Sequence, residues 1–116
     1  MTTATAEKPI ILKGDDKVNR LVKLVEKWSR DRDLHEADST KQLLKTFEEA
    51  AEIGEALTKN KPEELKDGIG DTVVTLIILA QQNNLTLEEC LETAYNEIKD
   101  REGKMVNGVF VKEEDL

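Results

Sequence analysis

Basic charge, cysteine, histidine, aromatic rings and long apolar runs are all scarce in this chain of 116 residues. Lys and Arg number 17 against 25 Asp and Glu, giving a formal net charge of −8. That balance excludes nucleic-acid backbones and anionic membranes as partners, because both demand a basic face. An anionic ligand stays compatible only where a metal ion or a local basic patch intervenes. The single cysteine, Cys90, excludes an internal disulfide and suits a reducing cytosol, so the expected location is cytoplasmic. No apolar run approaches the ~20 residues needed to cross a bilayer, and no signal peptide is expected. Only Trp28, Phe47, Tyr95 and Phe110 are aromatic. A core so poor in rings and rich in Leu, Val, Ile and Ala points to packed helices. The length suits one domain over residues 1–116, burying roughly two-thirds of its unfolded surface.

What is abundant is charge, at 36% of residues, and helical periodicity. Residues 1–14 read as an irregular lead-in. Asp15 or Asp16 is a candidate cap for a first helix with Val18, Leu21, Val22, Leu24, Val25 and Trp28 on one stripe. Leu34 to Asp38 reads as a loop. Ser39 is the expected cap of a second helix reaching about Lys59, with Leu43, Leu44, Phe47, Ala50, Ala51 and Leu57 on its inner side. Asn60-Lys61-Pro62 breaks that helix, and Pro62 followed by Glu63 and Glu64 opens a third, to about Gln82. Thr86-Leu87-Glu88-Glu89 is a capping box for a fourth helix to about Arg101, with Leu87, Leu91, Ala94, Tyr95 and Ile98 inward. Cys90 falls on the same apolar side. Residues 103–116 form a tail, in which Asn107-Gly108 between Met105-Val106 and Val109-Phe110 is a hairpin signal. The expectation is an all-α, four-helix bundle-like fold with a short C-terminal hairpin or tail.

Two acidic clusters stand out. The first is Glu48-Glu49-Ala50-Ala51-Glu52 with Glu55 one turn on; the second runs from Glu64 through Asp67 to Asp71. At ~100° per residue, Glu48, Glu52 and Glu55 share one stripe, and Glu64, Asp67 and Asp71 share another. The short connection makes the two helices antiparallel neighbours, so the stripes can face each other. Asp71 also abuts Val73 to Ala80, a segment apolar all the way round, where an unpaired charge is costly. Opposed carboxylates call for a bridging cation, and an all-oxygen set selects Mg²⁺ or Mn²⁺. The plain alternative is a pair of solvated faces with ordinary Glu/Lys pairs. The all-round apolar segment belongs to a central helix whose remaining side would meet a second copy, giving a homo-oligomer, dimer or tetramer.

Several segments together resemble the MazG-like nucleotide pyrophosphohydrolases, all-α enzymes with an EExxE…ExxD motif. Lys45-x-x-Glu48-Glu49-x-x-Glu52 supplies the first half, and Ile69-Gly70-Asp71-Thr72-Val73-Val74 the second. Asn96-x-x-Lys99-x-Arg101 and the ending Gly103-Lys104-Met105, Asn107-Gly108, Phe110-Val111-Lys112 are similar to the short, phage-type members. The resemblance spans roughly residues 18–112. It implies Mg²⁺-dependent hydrolysis of a (deoxy)nucleoside triphosphate between the α and β phosphates, with Mn²⁺ able to substitute. It implies Glu49, Glu52 and Asp71 as metal ligands, Glu48 as base or further ligand alongside Glu49, and Lys45, Asn96, Lys99, Arg101 and Lys104 as substrate contacts. One position departs: Gly68 stands where the family has the Glu three residues before the Asp. Asp67, one turn from Asp71, is the expected substitute, with Glu64 next; otherwise one metal fewer is held, or water fills in. On this reading Gly68→Glu restores a ligand and raises helix stability.

Trp28 is either a core or interface residue or a base-stacking one, and His35 is incidental. Two other classes of function remain open on sequence: a nucleotide-sensing or scaffold bundle without chemistry, and a helical module binding a partner through Val73 to Ala80. Clustered carboxylates favour the enzyme.

Overall fold

A computed structural model describes residues 14–116, with side chains from Lys17 onward. The expected lead-in therefore lies outside the described residues except for Gly14. Four helices follow, α1 (Gly14–Asp31), α2 (Ser39–Thr58), α3 (Pro62–Gln82) and α4 (Leu87–Ile98). A hairpin of β1 (Gly103–Val106) and β2 (Val109–Lys112) closes the chain, with a single helical turn at each of Leu34–Glu36 and Glu113–Asp115. The fold is all-α with a short C-terminal hairpin, as the periodicity implies.

Most ends follow their capping chemistry. Thr86 and Glu89 form a complete capping box at α4, and Pro62 occupies the first turn of α3. In the hairpin, Asn107 (φ 52°) and Gly108 (φ 83°) take the left-handed conformations that a two-residue turn requires. Three boundaries differ from the sequence expectation. Helix α1 already includes Gly14, so Asp15 and Asp16 fall in its first turn instead of before it. Asp38, not Ser39, caps α2, because its carboxylate accepts from the Thr40 and Lys41 amides at 2.7 and 3.4 Å. Helix α4 ends three residues early, at Ile98, before the charged run into Gly103.

The organising unit is the antiparallel pair of α2 and α3. The face of α2 that meets α3 carries Gln42, Thr46, Glu49, Ile53 and Ala56, spaced four, three, four and three residues apart. Thr46 Oγ1 donates to Thr75 Oγ1 at 2.9 Å, and Thr75 Oγ1 donates to the Thr72 carbonyl at 2.6 Å. Gln42 Nε2 donates to the Thr75 carbonyl at 3.0 Å, and Asn83 Nδ2 to Ser39 Oγ at 3.1 Å. Helix α1 lies against α3, held in part by the Gln81 Nε2 donation to the Glu26 carbonyl at 3.1 Å. Gln82 does the same for the turn after α1, donating to the Leu34 carbonyl at 2.9 Å.

This corrects the expected core. Val22, Ala56, Ile77, Ile78 and Ala80 are the buried apolar residues among those described. The large side chains assigned inward on α2 point out instead: Leu43, Leu44, Phe47 (60% exposed) and Leu57 are all accessible, because the mixed polar stripe takes the α3 side. Leu91, Tyr95 and Ile98 of α4 are likewise exposed; α4 meets the bundle at its start, on α3 and through the Glu88–Lys23 ion pair to α1 at 3.6 Å. On α3 itself, Val73 and Leu76 keep an outward side, as expected for an apolar helix in so small a chain. The radius of gyration, 17.7 Å, exceeds the about 13 Å of a compact chain this long. Among the described residues, no helix is long and apolar enough to cross a membrane.

Gly68 is buried on the side of α3 that meets Ile53 of α2. A Cβ there would sit 3.2 Å from Ile53 Cγ1. The expected gain in helix stability from Gly68→Glu therefore competes with crowding, since Ile53 must give by a few tenths of an ångström. Gly68→Glu should lower the unfolding free energy by about 1–3 kcal/mol through overpacking. Gly68→Ala should fall within about 1 kcal/mol of wild type, because its helix-propensity gain offsets the crowding. Urea unfolding of metal-free protein checks both.

Candidate active site

Ion pairing sorts the two acidic clusters. Glu48 pairs with Lys45 at 3.7 Å, Glu55 with Lys59 at 2.7 Å, and Glu64 with Lys61 at 3.6 Å, all one turn apart on exposed faces. These are the ordinary solvated pairs. Glu49, Glu52, Asp67 and Asp71 make no ion pair among the described residues. The Lys59 ammonium holds the Glu55 carboxyl below its usual range, which confirms Glu55 as a surface partner and removes it from the facing stripe. The stripe that does face α3 is led by Glu49, not by Glu48, Glu52 and Glu55.

Glu49 is half-buried, and its Oε1 is shut off from solvent without any hydrogen-bond partner. Burial pushes its carboxyl pKa up, and the charges of Glu52 and Asp71 push it further, against the opposing pull of Lys45. Asp71, half-buried on α3, therefore stands within electrostatic reach of Glu49, whereas Glu52, one turn on from Glu49, is exposed and does not line the cleft described next. Both Glu49 and Asp71 line a cleft of about 450 Å³ between the end of α1 and the first half of α2, floored by Val74, Thr75 and Ile78 of α3. Lys41, Lys45, Gln42 and Trp28 complete its walls.

The remaining candidates are dispersed. Asp67 lines a separate apolar groove between α1 and α3, which Asp71 also borders. Asp71 is the residue common to both. Asn96, Lys99, Arg101 and Lys104 are exposed and line no part of the cleft; Arg101 borders a shallow acidic depression with Glu97, Asp100, Glu113 and Glu114. Among the described residues, no three acidic, histidine or cysteine side chains converge closely enough to hold an ion. The donor chemistry nonetheless fits a hard cation: an orphaned buried carboxylate oxygen faces a second unpaired carboxylate, and every donor is oxygen.

Sequence reading missed Lys41, Gln42 and Asp38 as cleft residues. The signal was present in the spacing of Gln42, Thr46, Glu49 and Ile53, a helical stripe obscured by the larger apolar residues beside it. Trp28 is neither core nor fully exposed, at 45%, and forms one wall of the cleft.

Over residues 38–106, more than half of its length, the chain matches the MazG nucleotide pyrophosphohydrolase domain. It belongs to the MazG family. The matched stretch runs from the cap of α2 through β1, so it contains Lys45, Glu48, Glu49, Glu52 and Asp71 and leaves out α1. The chain is also 46% identical over 70 residues to an uncharacterized 18.2 kDa protein from the rep-hol intergenic region of Haemophilus phage HP1. That likeness covers 59% of this chain and 42% of the phage protein, so the chain spans less than half of that relative. No solved structure matches it. Membership makes nucleotide pyrophosphohydrolysis, in general terms, the activity the MazG domain suggests.

A carboxyl whose folded pKa is raised contributes stability that is present below its ordinary value and lost as pH rises through the raised one. Ionised Glu49 thus opposes folding at neutral pH when no cation is bound. Metal-free Glu49→Gln should melt above wild type at pH 7, and that advantage should vanish below pH 4.5, the ordinary carboxyl value. Melting curves of both proteins at a series of pH values check the sign.

Proposed function

We propose that this MazG protein hydrolyses (deoxy)nucleoside triphosphates at the α–β phosphoanhydride, releasing a nucleoside monophosphate and pyrophosphate with Mg²⁺ as cofactor. The observation that carries this reading is the buried, unpartnered Glu49 oxygen facing Asp71 inside a cleft that also holds two lysines. A solvated helix face does not bury an acid beside other acids. Glu49, Glu52 and Asp71 would hold the ion, with Asp67 joining from the α1 side of Asp71. When bound there, Mg²⁺ supplies positive charge against the phosphates and lowers the pKa of water.

The chain's own residues do the rest. Lys45 and Lys41 set cationic charge on the cleft wall, against the anionic phosphates in a protein that is otherwise acidic. Glu48, exposed on α2 beside Glu49 and only loosely tied to Lys45 at 3.7 Å, accepts the proton of the attacking water. The water oxygen bonds to the α or β phosphorus, the α–β bridging P–O bond breaks, and the departing pyrophosphate or nucleoside monophosphate carries off the electron pair. Val74 and Ile78 keep the cleft floor dry.

The functional unit is a homo-oligomer. The outward Leu43, Leu44, Phe47 and Leu57 of α2, and Leu91, Tyr95 and Ile98 of α4, support that assignment, as contiguous apolar surface of this kind is rarely left to water.

Two experiments test this. Assayed against a panel of ribo- and deoxyribonucleoside triphosphates, the protein should release pyrophosphate only with a divalent cation. Glu52→Gln and Asp71→Asn should lose turnover by orders of magnitude while still folding, and Glu48→Gln should lose about 10²–10⁴-fold in kcat. Wild-type rates in Glu52→Gln and Asp71→Asn would remove the site from the reaction. In light scattering the protein should run as a dimer or tetramer; a uniform 13.1 kDa species would refute the assembly.

A further inference from the structure

The cleft continues past Glu49 and Asp71 into a region that phosphate chemistry does not use. There Trp28 of α1 faces Gln42 and Asp38 at the start of α2, above Ile78. Trp28 is held from behind: the Arg32 guanidinium lies 4.3 Å from the centre of its ring, and Arg32 Nη1 donates to the Trp28 carbonyl at 3.0 Å. Arg32 does not line the cleft, so the other side of the ring is what the cleft meets. A tryptophan fixed on one side by a cation and open on the other is a stacking platform.

Gln42 is oriented as well. Its Nε2 donates to the Thr75 carbonyl at 3.0 Å, which settles which end of the amide is which and leaves Oε1 free as an acceptor on the cleft wall. Asp38 adds acceptor character beside it, since its Oδ1 takes the Thr40 and Lys41 amides and its other oxygen has no donor among the described residues.

We infer that this end of the cleft is a nucleobase subsite, in which the base stacks on Trp28 and Gln42 Oε1 accepts from an exocyclic amino group. The ligand class is cytosine and adenine nucleotides over uracil and thymine ones, whose equivalent position is a carbonyl acceptor. Trp28 and Arg32 lie outside residues 38–106, which match the MazG domain. The inference rests on the hydrolase reading only in taking the ligand to be a nucleotide.

Trp28 is the only tryptophan in the chain, so its fluorescence reports the subsite directly. The full-length protein is titrated with CMP, AMP, UMP and inorganic pyrophosphate in the presence of Mg²⁺, with calorimetry alongside. CMP and AMP should quench Trp28 saturably, UMP should bind about 3–10-fold more weakly for want of one hydrogen bond, and pyrophosphate should leave the emission unchanged. Trp28→Ala should weaken CMP binding about 5–100-fold in calorimetry, the range of one lost base–aromatic stack. Gln42→Met should bring CMP and UMP within about 2-fold of each other. Gln42→Glu, which keeps an acceptor but loses the bond to Thr75, should retain the preference and so separates recognition from helix packing. Nucleotides that bind without touching the emission would overturn the platform, as would an absence of nucleotide binding. Equal or tighter binding of UMP would overturn the amino-group reading and put Lys41, a donor on the same wall, in that role. Hydrolysis of the triphosphates is measured in parallel: quenching without turnover leaves the subsite standing and sinks the hydrolase reading, and turnover without quenching does the reverse.

Discussion

The register of α2 against α3 governs everything that the cleft can do. Glu49 and Asp71 come from different helices, and they oppose each other only while Thr46 stays level with Thr75 and Ile53 with Gly68. A slip of one turn, about 5.4 Å, would carry the carboxylates apart. An interface of Leu and Val alone would resist such a slip weakly, because apolar contact is non-directional. The hydroxyls supply direction. Moving the helices would strand Thr75 and Gln42 without partners in a poorly hydrated seam, at about 1–3 kcal/mol for each buried group. Gly68 adds a steric constraint, since Ile53 leaves little room for a side chain there.

The same arrangement explains why so much apolar surface is left outside. With Gln42, Thr46, Glu49 and Ile53 facing α3, the Leu and Phe side chains of α2 have no face of their own chain to cover. Helix α1 packs on α3 without closing over α2, and α4 leaves the bundle after its first turns. The gap between α1 and α2 is the cleft. A chain of this size that closed around its aromatics and leucines would have no room for one, so the open site and the outward apolar stripe have one cause.

Much of this was legible in the sequence, and the failures share a pattern. Pro62, the Thr86–Glu89 box and Asn107-Gly108 act through local backbone chemistry, and each stands where that chemistry puts it. The family was legible too, because the spacing of Glu48, Glu49, Glu52 and Asp71 carries its signature. Which side of α2 turns inward was not. Phe47 and Leu44 are larger and more apolar than Thr46 and Gln42, and an argument from hydrophobicity alone buries the larger residues. Two hydroxyls and an amide outcompeted them because they find specific partners on α3. Gly68 was only half legible for a related reason: a motif comparison registers a missing carboxylate, whereas only the packed pair reveals Ile53 beside it.

Local rules are broken in one place more than any other. Most ion-paired acids of the described chain sit on solvent-facing sides of helices, within a turn of a lysine. Around the cleft an acid points inward without a donor, a tryptophan stays nearly half exposed, and a lysine occupies the first turn of a helix whose dipole disfavours it. Each arrangement costs stability in the empty protein. Together they present buried negative charge, an aromatic face and flexible positive charge within a single cavity. A triphosphate with its cation and base offers a complement to all three: charge for the acids, phosphate for the lysines, and a flat ring for Trp28. On the proposed reading, a ligand that carries both an anionic chain and a ring would offset that combined cost.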